Sequence, residues 1–121
     1  MKLFDPTMNT LERALDVRLV RQNLLAGNIA NANTPGYAPQ DVNFEAAMAA
    51  AQASEREPGT GAPVAAFVEA QEATPGLDGN KVDLDRAMVG LAENALQYGA
   101  SARAVAKKLA ILRSVASDGN G

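Results

Sequence analysis

Two carboxylate pairs, Asp83 with Asp85 and Glu55 with Glu57, are where acid–base chemistry would be sought in this chain. General acid–base work at neutral pH usually draws on a group that titrates near 7, and the chain contains neither histidine nor cysteine. The same two absences leave no imidazole or thiolate metal ligand and no disulfide framework. Each pair also has an ordinary reading. Asp83 and Asp85 suit the N-terminus of a helix, where a carboxylate meets the positive end of the dipole. Glu55 and Glu57 fall in the solvated string "EREPGTGAP". No catalytic residue, cofactor-binding residue or metal ligand is therefore assigned. The denser polar feature is "NIANANTPGY", residues 28–37, with three asparagines, a Thr-Pro-Gly run and one of the two tyrosines. Side chains of this kind hydrogen-bond backbone. Asn28, Ala30, Asn31, Asn33, Thr34, Pro35, Gly36 and Tyr37, with Phe44 further on, form the candidate site. At its simplest the stretch stops a helix and turns the chain, since Thr34-Pro35-Gly36-Tyr37 fits a type II turn. Three asparagines exceed what a stop requires, so binding to the backbone of a neighbouring chain is the second reading. Tyr37 and Phe44 would then anchor an extended segment lying across adjacent subunits rather than over its own core.

The elements that must position this motif follow from periodicity and composition. The 121 residues suffice for one domain. Aromatic residues make up only 4% of a chain that is 47% hydrophobic, and many of the apolar residues are alanines. That composition suits closely packed helices. Residues 1–44 are charge-balanced, residues 45–85 hold eight acidic against two basic residues, and residues 86–121 hold five basic against two acidic. The prolines and glycines of 58–79 fall in the middle zone. The pattern reads as helix (1–34), irregular acidic insert (35–82), helix (83–118) within a single domain. Asp5 and Pro6 form an N-cap and first-turn pair for the first helix. Met8, Leu11, Leu15, Leu19, Leu25 and Ile29 recur along it at helical spacing, and Val17, Val20 and Leu24 widen its apolar surface enough to require a second neighbour.

In the second helix Leu84, Met88, Leu91, Ala95, Tyr98, Ala102, Val105, Leu109, Leu112 and Ala116 alternate steps of four and three, the seam of a coiled coil. Lys107, Lys108 and Arg113 lie toward its end. Within the insert, "NFEAAMAAAQASE" predicts a short helix from Asn43, and "APVAAFVEA" (62–70) a strand or ribbon. The expected fold is mainly α: two long terminal helices pairing as an antiparallel-type coiled coil, with a short irregular or β-like acidic insert between them.

At this point "RALDVRLVRQNLLAGNIANANTPGYAPQDVNFEAAM" and "GNKVDLDRAMVGLAENALQYGASARAVAKKLAILRSVAS" together resemble the two ends of bacterial flagellar rod and hook axial proteins. The Asn-Ala-Asn…Thr-Pro-Gly-Tyr core is shared across that superfamily, whereas "QDVNFEAAM" and "ENALQY" favour its proximal rod branch. Ala38-Pro39 stands where the family often carries a basic residue. The resemblance implies a structural, non-enzymatic subunit of the periplasmic rod of the basal body, with terminal helices packed in a helical tube that transmits torque. It also implies export by the flagellar type III system without a cleaved signal peptide. The implied partners are copies of the chain, other rod proteins, and the MS-ring, rod–ring junction and export-gate proteins at the base.

Other function classes fit less of the chain. A net charge of -3 argues against a nucleic-acid binder. No segment reaches the roughly 20 apolar residues of a membrane span, and the N-terminus lacks the pattern of a secretory signal. Another rod or hook-type axial protein would share the motif. A free-standing helical adaptor would explain the second helix but not "NIANANTPGY".

Overall fold

The computed structural model describes residues 6–56, 62–71, 79 and 81–119. Helix α1 spans Pro6–Ala30, strand β1 Gln40–Val42, helix α2 Phe44–Arg56, a single 3-10 turn Val64–Phe67, strand β2 Val68–Ala70 and helix α3 Leu84–Asp118. The chain is mainly helical, with one small two-stranded sheet.

Local chemistry sets most of these boundaries. Pro6 occupies the first helical position, where a missing N–H costs nothing. The proposed cap Asp5 lies outside the described residues, as does Glu57. Asn43 caps α2, its side chain accepting from the Ala46 amide at 3.0 Å. Asp83 caps α3 in the same way, accepting from the Arg86 amide at 3.1 Å, with Asp85 in the first turn. The last turn of α3 holds no basic residue. Lys107, Lys108 and Arg113 lie earlier, because the helix runs on to Asp118 and the terminal field fades within one turn. Residues 62–70 divide their backbone between the 3-10 turn and β2, which pairs antiparallel with β1 in the register Gln40↔Ala70, Asp41↔Glu69 and Val42↔Val68.

The packed core lies between α1 and the insert. Val17, Val42, Ala47 and Val64 are buried together, with Val20, Leu24, Met48 and Phe67 against them. This is the second neighbour that the widened face of α1 requires. Arg13 reinforces it by donating from Nε to the Ala47 carbonyl at 3.2 Å and from Nη2 to the Ala62 carbonyl at 2.8 Å. Its guanidinium also lies 5.8 Å from the Phe67 ring centre, within cation–π range. The segment after the turn folds back on its own first helix, where Val42 supplies one wall of the core.

On its other side α1 meets α3, which runs antiparallel to it. Leu25 lies where a Cβ on Gly90 would touch it at 3.8 Å, Arg18 bonds Gln97 at 2.7 Å, and Leu11 shares a groove with Ala104 and Leu112. At 1.5 Å per residue α3 is about 50 Å long. No described helix is long and apolar enough to cross a membrane.

Candidate functional site

Two surfaces carry the residues picked from the sequence: the junction after α1 and the long face of α3.

At the junction the motif divides by depth. Asn28 is buried and turns both ends of its amide to its own chain: Nδ2 donates to the Gln40 carbonyl at 2.8 Å, and Oδ1 accepts from the Gln40 amide at 2.9 Å. Tyr37 adds a hydroxyl donation to the same Oδ1 at 3.3 Å. The Asn28 side chain thus stands where a further strand would lie beside β1. The other outward amide of β1, on Val42, is taken by the Asp41 carboxylate at 2.8 Å. Both outward-pointing amides of this edge are thereby blocked to other chains. Asp41 also pairs with Arg21 at 3.1 Å.

Asn31 extends the end of α1, its side chain and its amide both donating to the Gly27 carbonyl, at 2.9 and 3.0 Å. Thr34 then returns to Asn31 through its amide (3.0 Å) and its hydroxyl (3.2 Å). The Tyr37 amide closes the turn on the Thr34 carbonyl at 3.2 Å, with Gly36 at φ 77° as a type II turn demands. Ala30, Asn33, Thr34, Pro35 and Gly36 are exposed around that turn, while Tyr37 is half-buried. Phe44 keeps 37% of its surface exposed, with the Arg18 guanidinium 4.8 Å from its ring centre. Burial first, and then the like charge of Arg21, lower the pKa of that guanidinium from its ordinary value. A lowered base loses the penalty only as pH rises through the alkaline range, so the cost is constant near neutrality.

Along the helix pair the structure places the predicted seam unevenly. On α1, Met8 and Leu25 are buried and Leu11, Leu15 and Ile29 half-buried, while Leu19 is exposed. On α3, Leu91, Ala102, Val105 and Leu112 are half-buried, whereas Leu84, Met88, Ala95, Tyr98, Leu109 and Ala116 are exposed. Val89, Leu96, Ile111 and Val115 are exposed as well, Leu96 at 73% of its surface. The one fully buried side chain of α3 is Asn94. It donates from Nδ2 to the Arg18 carbonyl at 2.8 Å and to Gln22 Oε1 at 2.7 Å. Gly90 sits against α1, but Gly99 would meet only the side chain of Arg103 one turn on. An open groove between β1 and the start of α3 is lined by Arg21, Lys81, Arg86, Asp41, Asp83 and Glu93, charges that balance and select no ligand.

Sequence reasoning missed Arg13, Arg18 and Asn94. The first two were legible as basic residues embedded in an apolar helix, the third as an amide next to a seam position.

The sequence has relatives among known proteins. A family model described as "Flagella basal body rod protein" matches residues 8–37, the stretch from Met8 through the Thr-Pro-Gly turn. The chain is 32% identical over 133 aligned positions to the flagellar basal body rod protein FlgB of Escherichia coli K12, covering 96% of each. It is 31% identical to the FlgB of Salmonella typhimurium, again over 96% of each. Against the FlgB of Cereibacter sphaeroides identity is 38% over 98 positions, covering 74% of this chain and 77% of that one.

Proposed function

We propose that this chain, which belongs to the FlgB family of flagellar basal body rod proteins, is a non-enzymatic structural subunit of the proximal rod, built into a helical shaft through the outer face of α3. The carrying observation is that face. A 35-residue helix leaves Leu84, Met88, Val89, Leu96, Ile111 and Val115 in solvent while its one buried side chain is polar. Isolated apolar residues on a surface are ordinary, but so many on one helix mark an interaction surface. Packing of these exposed apolar residues then takes place between subunits. It gives many copies a dry, rigid contact suited to a shaft that carries torque.

The neighbours in this reading are copies of the chain, other rod proteins, and the MS-ring, rod–ring junction and export-gate proteins at the base. Subunits arrive by the flagellar type III route without a cleaved signal and take their place in the periplasmic rod. The exposed Thr34–Gly36 turn and Asn33 supply contacts between subunits, while Asn28 and Tyr37 hold that turn in position.

Electron microscopy of hook–basal bodies tests the reading. Cells lacking the gene should have none, the wild-type gene should restore them, and a Leu96→Asp gene should not. Normal flagella in the deletion strain would overturn the assignment.

A further inference from the structure

The buried amide of Asn94 sits where apolar packing would favour an aliphatic side chain. Toward α1, α3 turns Ala87, Gly90, Leu91, Asn94, Ser101, Ala102, Val105, Lys108 and Leu112, all half-buried or buried. The apolar seam of the same helix shares Leu91, Ala102, Val105 and Leu112 with that face. Elsewhere, however, it runs through Met88 and Ala95, each one residue further along than Ala87 and Asn94, and through the exposed Leu84 and Leu109. One residue is about 100° of helix rotation, so the two stripes differ by roughly 50° on average. Rolling α3 through that angle would turn Leu84, Met88 and Leu109, now 46%, 54% and 38% exposed, toward α1. Hydrophobic burial favours the rolled packing, and the observed one must be held by something else.

We infer that Asn94 is the key that selects the observed rotation of α3 on α1, so that part of the apolar seam, Leu84, Met88 and Leu109, stays turned outward. Both amide hydrogens of Asn94 are committed to α1, one of them to a backbone carbonyl that no side-chain rearrangement can move. Gln97, one turn on, adds the bond from Arg18 at 2.7 Å. In the rolled packing the Asn94 amide leaves Gln22 and the Arg18 carbonyl, and the Gln97 bond breaks with it. A polar residue that fixes alignment at some expense of stability is an attested device in helix pairs. The expense is visible: Asn94 Oδ1 and Arg18 Nε are buried with no hydrogen-bond partner among the described residues. That the outward seam serves rod contacts rests on the function proposed above; the rotation itself does not.

The chain has no cysteine, so paired substitutions give a clean readout on the purified full-length protein. Leu25→Cys is combined either with Gly90→Cys, which faces it in the observed packing, or with Ala87→Cys, which the roll carries to the side of α3 that Gly90 now occupies. With Asn94 present, disulfide formation in the 25–90 pair should outpace the 25–87 pair at least tenfold. With Asn94→Leu the preference should vanish or reverse. An unchanged preference overturns the proposal. If the leucine variant fails to fold, Asn94→Ala is read in the same way. Failure of the alanine variant to fold also overturns the proposal, because the amide would then be required for folding rather than for choosing a packing. Normal rods in cells despite a lost or reversed in vitro preference would bear on the function of the surface and not on this inference.

Discussion

Helix α3 is no less apolar in sequence than α1, yet the two helices dispose of that character in opposite ways. Along α1, Met8, Val17, Leu25 and Asn28 are buried, and the helix is covered on one side by the insert and on the other by α3. Along α3 only Asn94 is buried, and large apolar residues look outward over most of its length. The difference teaches that hydrophobic periodicity reports how much surface a helix must cover, without saying whether its own chain or another does the covering.

Substitutions that separate stability from assembly sharpen this contrast. The largest effect on the single chain is expected from Val17→Asp, which puts an unpaired carboxylate into a site with 0% exposure; it should cost on the order of 4 kcal/mol and abolish cooperative thermal unfolding by circular dichroism. A Val17→Asp protein that melts like wild type would remove the core from between α1 and the insert. Asn28→Ala comes next, at roughly 2–3 kcal/mol in urea unfolding, since it leaves the Gln40 amide and carbonyl without their partner. Gly36→Ala forces a side chain to φ 77° and should lower stability by about 1–2 kcal/mol, with the helical signal unchanged. Gly99→Ala should raise stability by up to about 1 kcal/mol, since the added methyl meets only the end of the Arg103 side chain. The smallest stability change belongs to Leu96→Asp, within about 0.5 kcal/mol, yet it should prevent rod assembly in cells. If Leu96→Asp cells swim normally, the outer face of α3 is not the assembly surface.

Much of the fold was legible in the sequence for local reasons. Asn43 and Asp83 announce the starts of α2 and α3, and Pro35-Gly36 fixes the turn, because caps and turns depend on residues three or four positions apart. The double coverage of α1 was legible in Val17, Val20 and Leu24. What stayed hidden depends on partners distant in sequence. "QDV" carries too short a pattern to declare a strand, and its pairing with Val68–Ala70 exists only after the insert closes. The internal role of Asn28 could not be separated from an intermolecular one, since the amide would serve either backbone equally well. The rotation of α3 was hidden for a stronger reason: a single polar residue outweighs a regular apolar pattern, and pattern counting gives it one vote.

The placement of the two long helices at opposite ends of the sequence also has a consequence for the order of folding. Contacts of α1 with the insert close short loops: Arg13 reaches Ala47 across 34 residues and Asn28 reaches Gln40 across 12. Contacts of α1 with α3 close far longer ones, 76 residues from Arg18 to Asn94 and 79 from Arg18 to Gln97. Loop-closure entropy grows with length, so α1, the sheet and α2 should form a unit on which α3 docks late. Pulsed hydrogen exchange during refolding should show protection of Val17 and of Asn43, whose amide donates to the Phe67 carbonyl at 2.8 Å, before Leu91 and Val105; simultaneous protection would mean that the chain folds as one step. A late-docking α3 is a helix still searching for its partner when a growing structure first presents one.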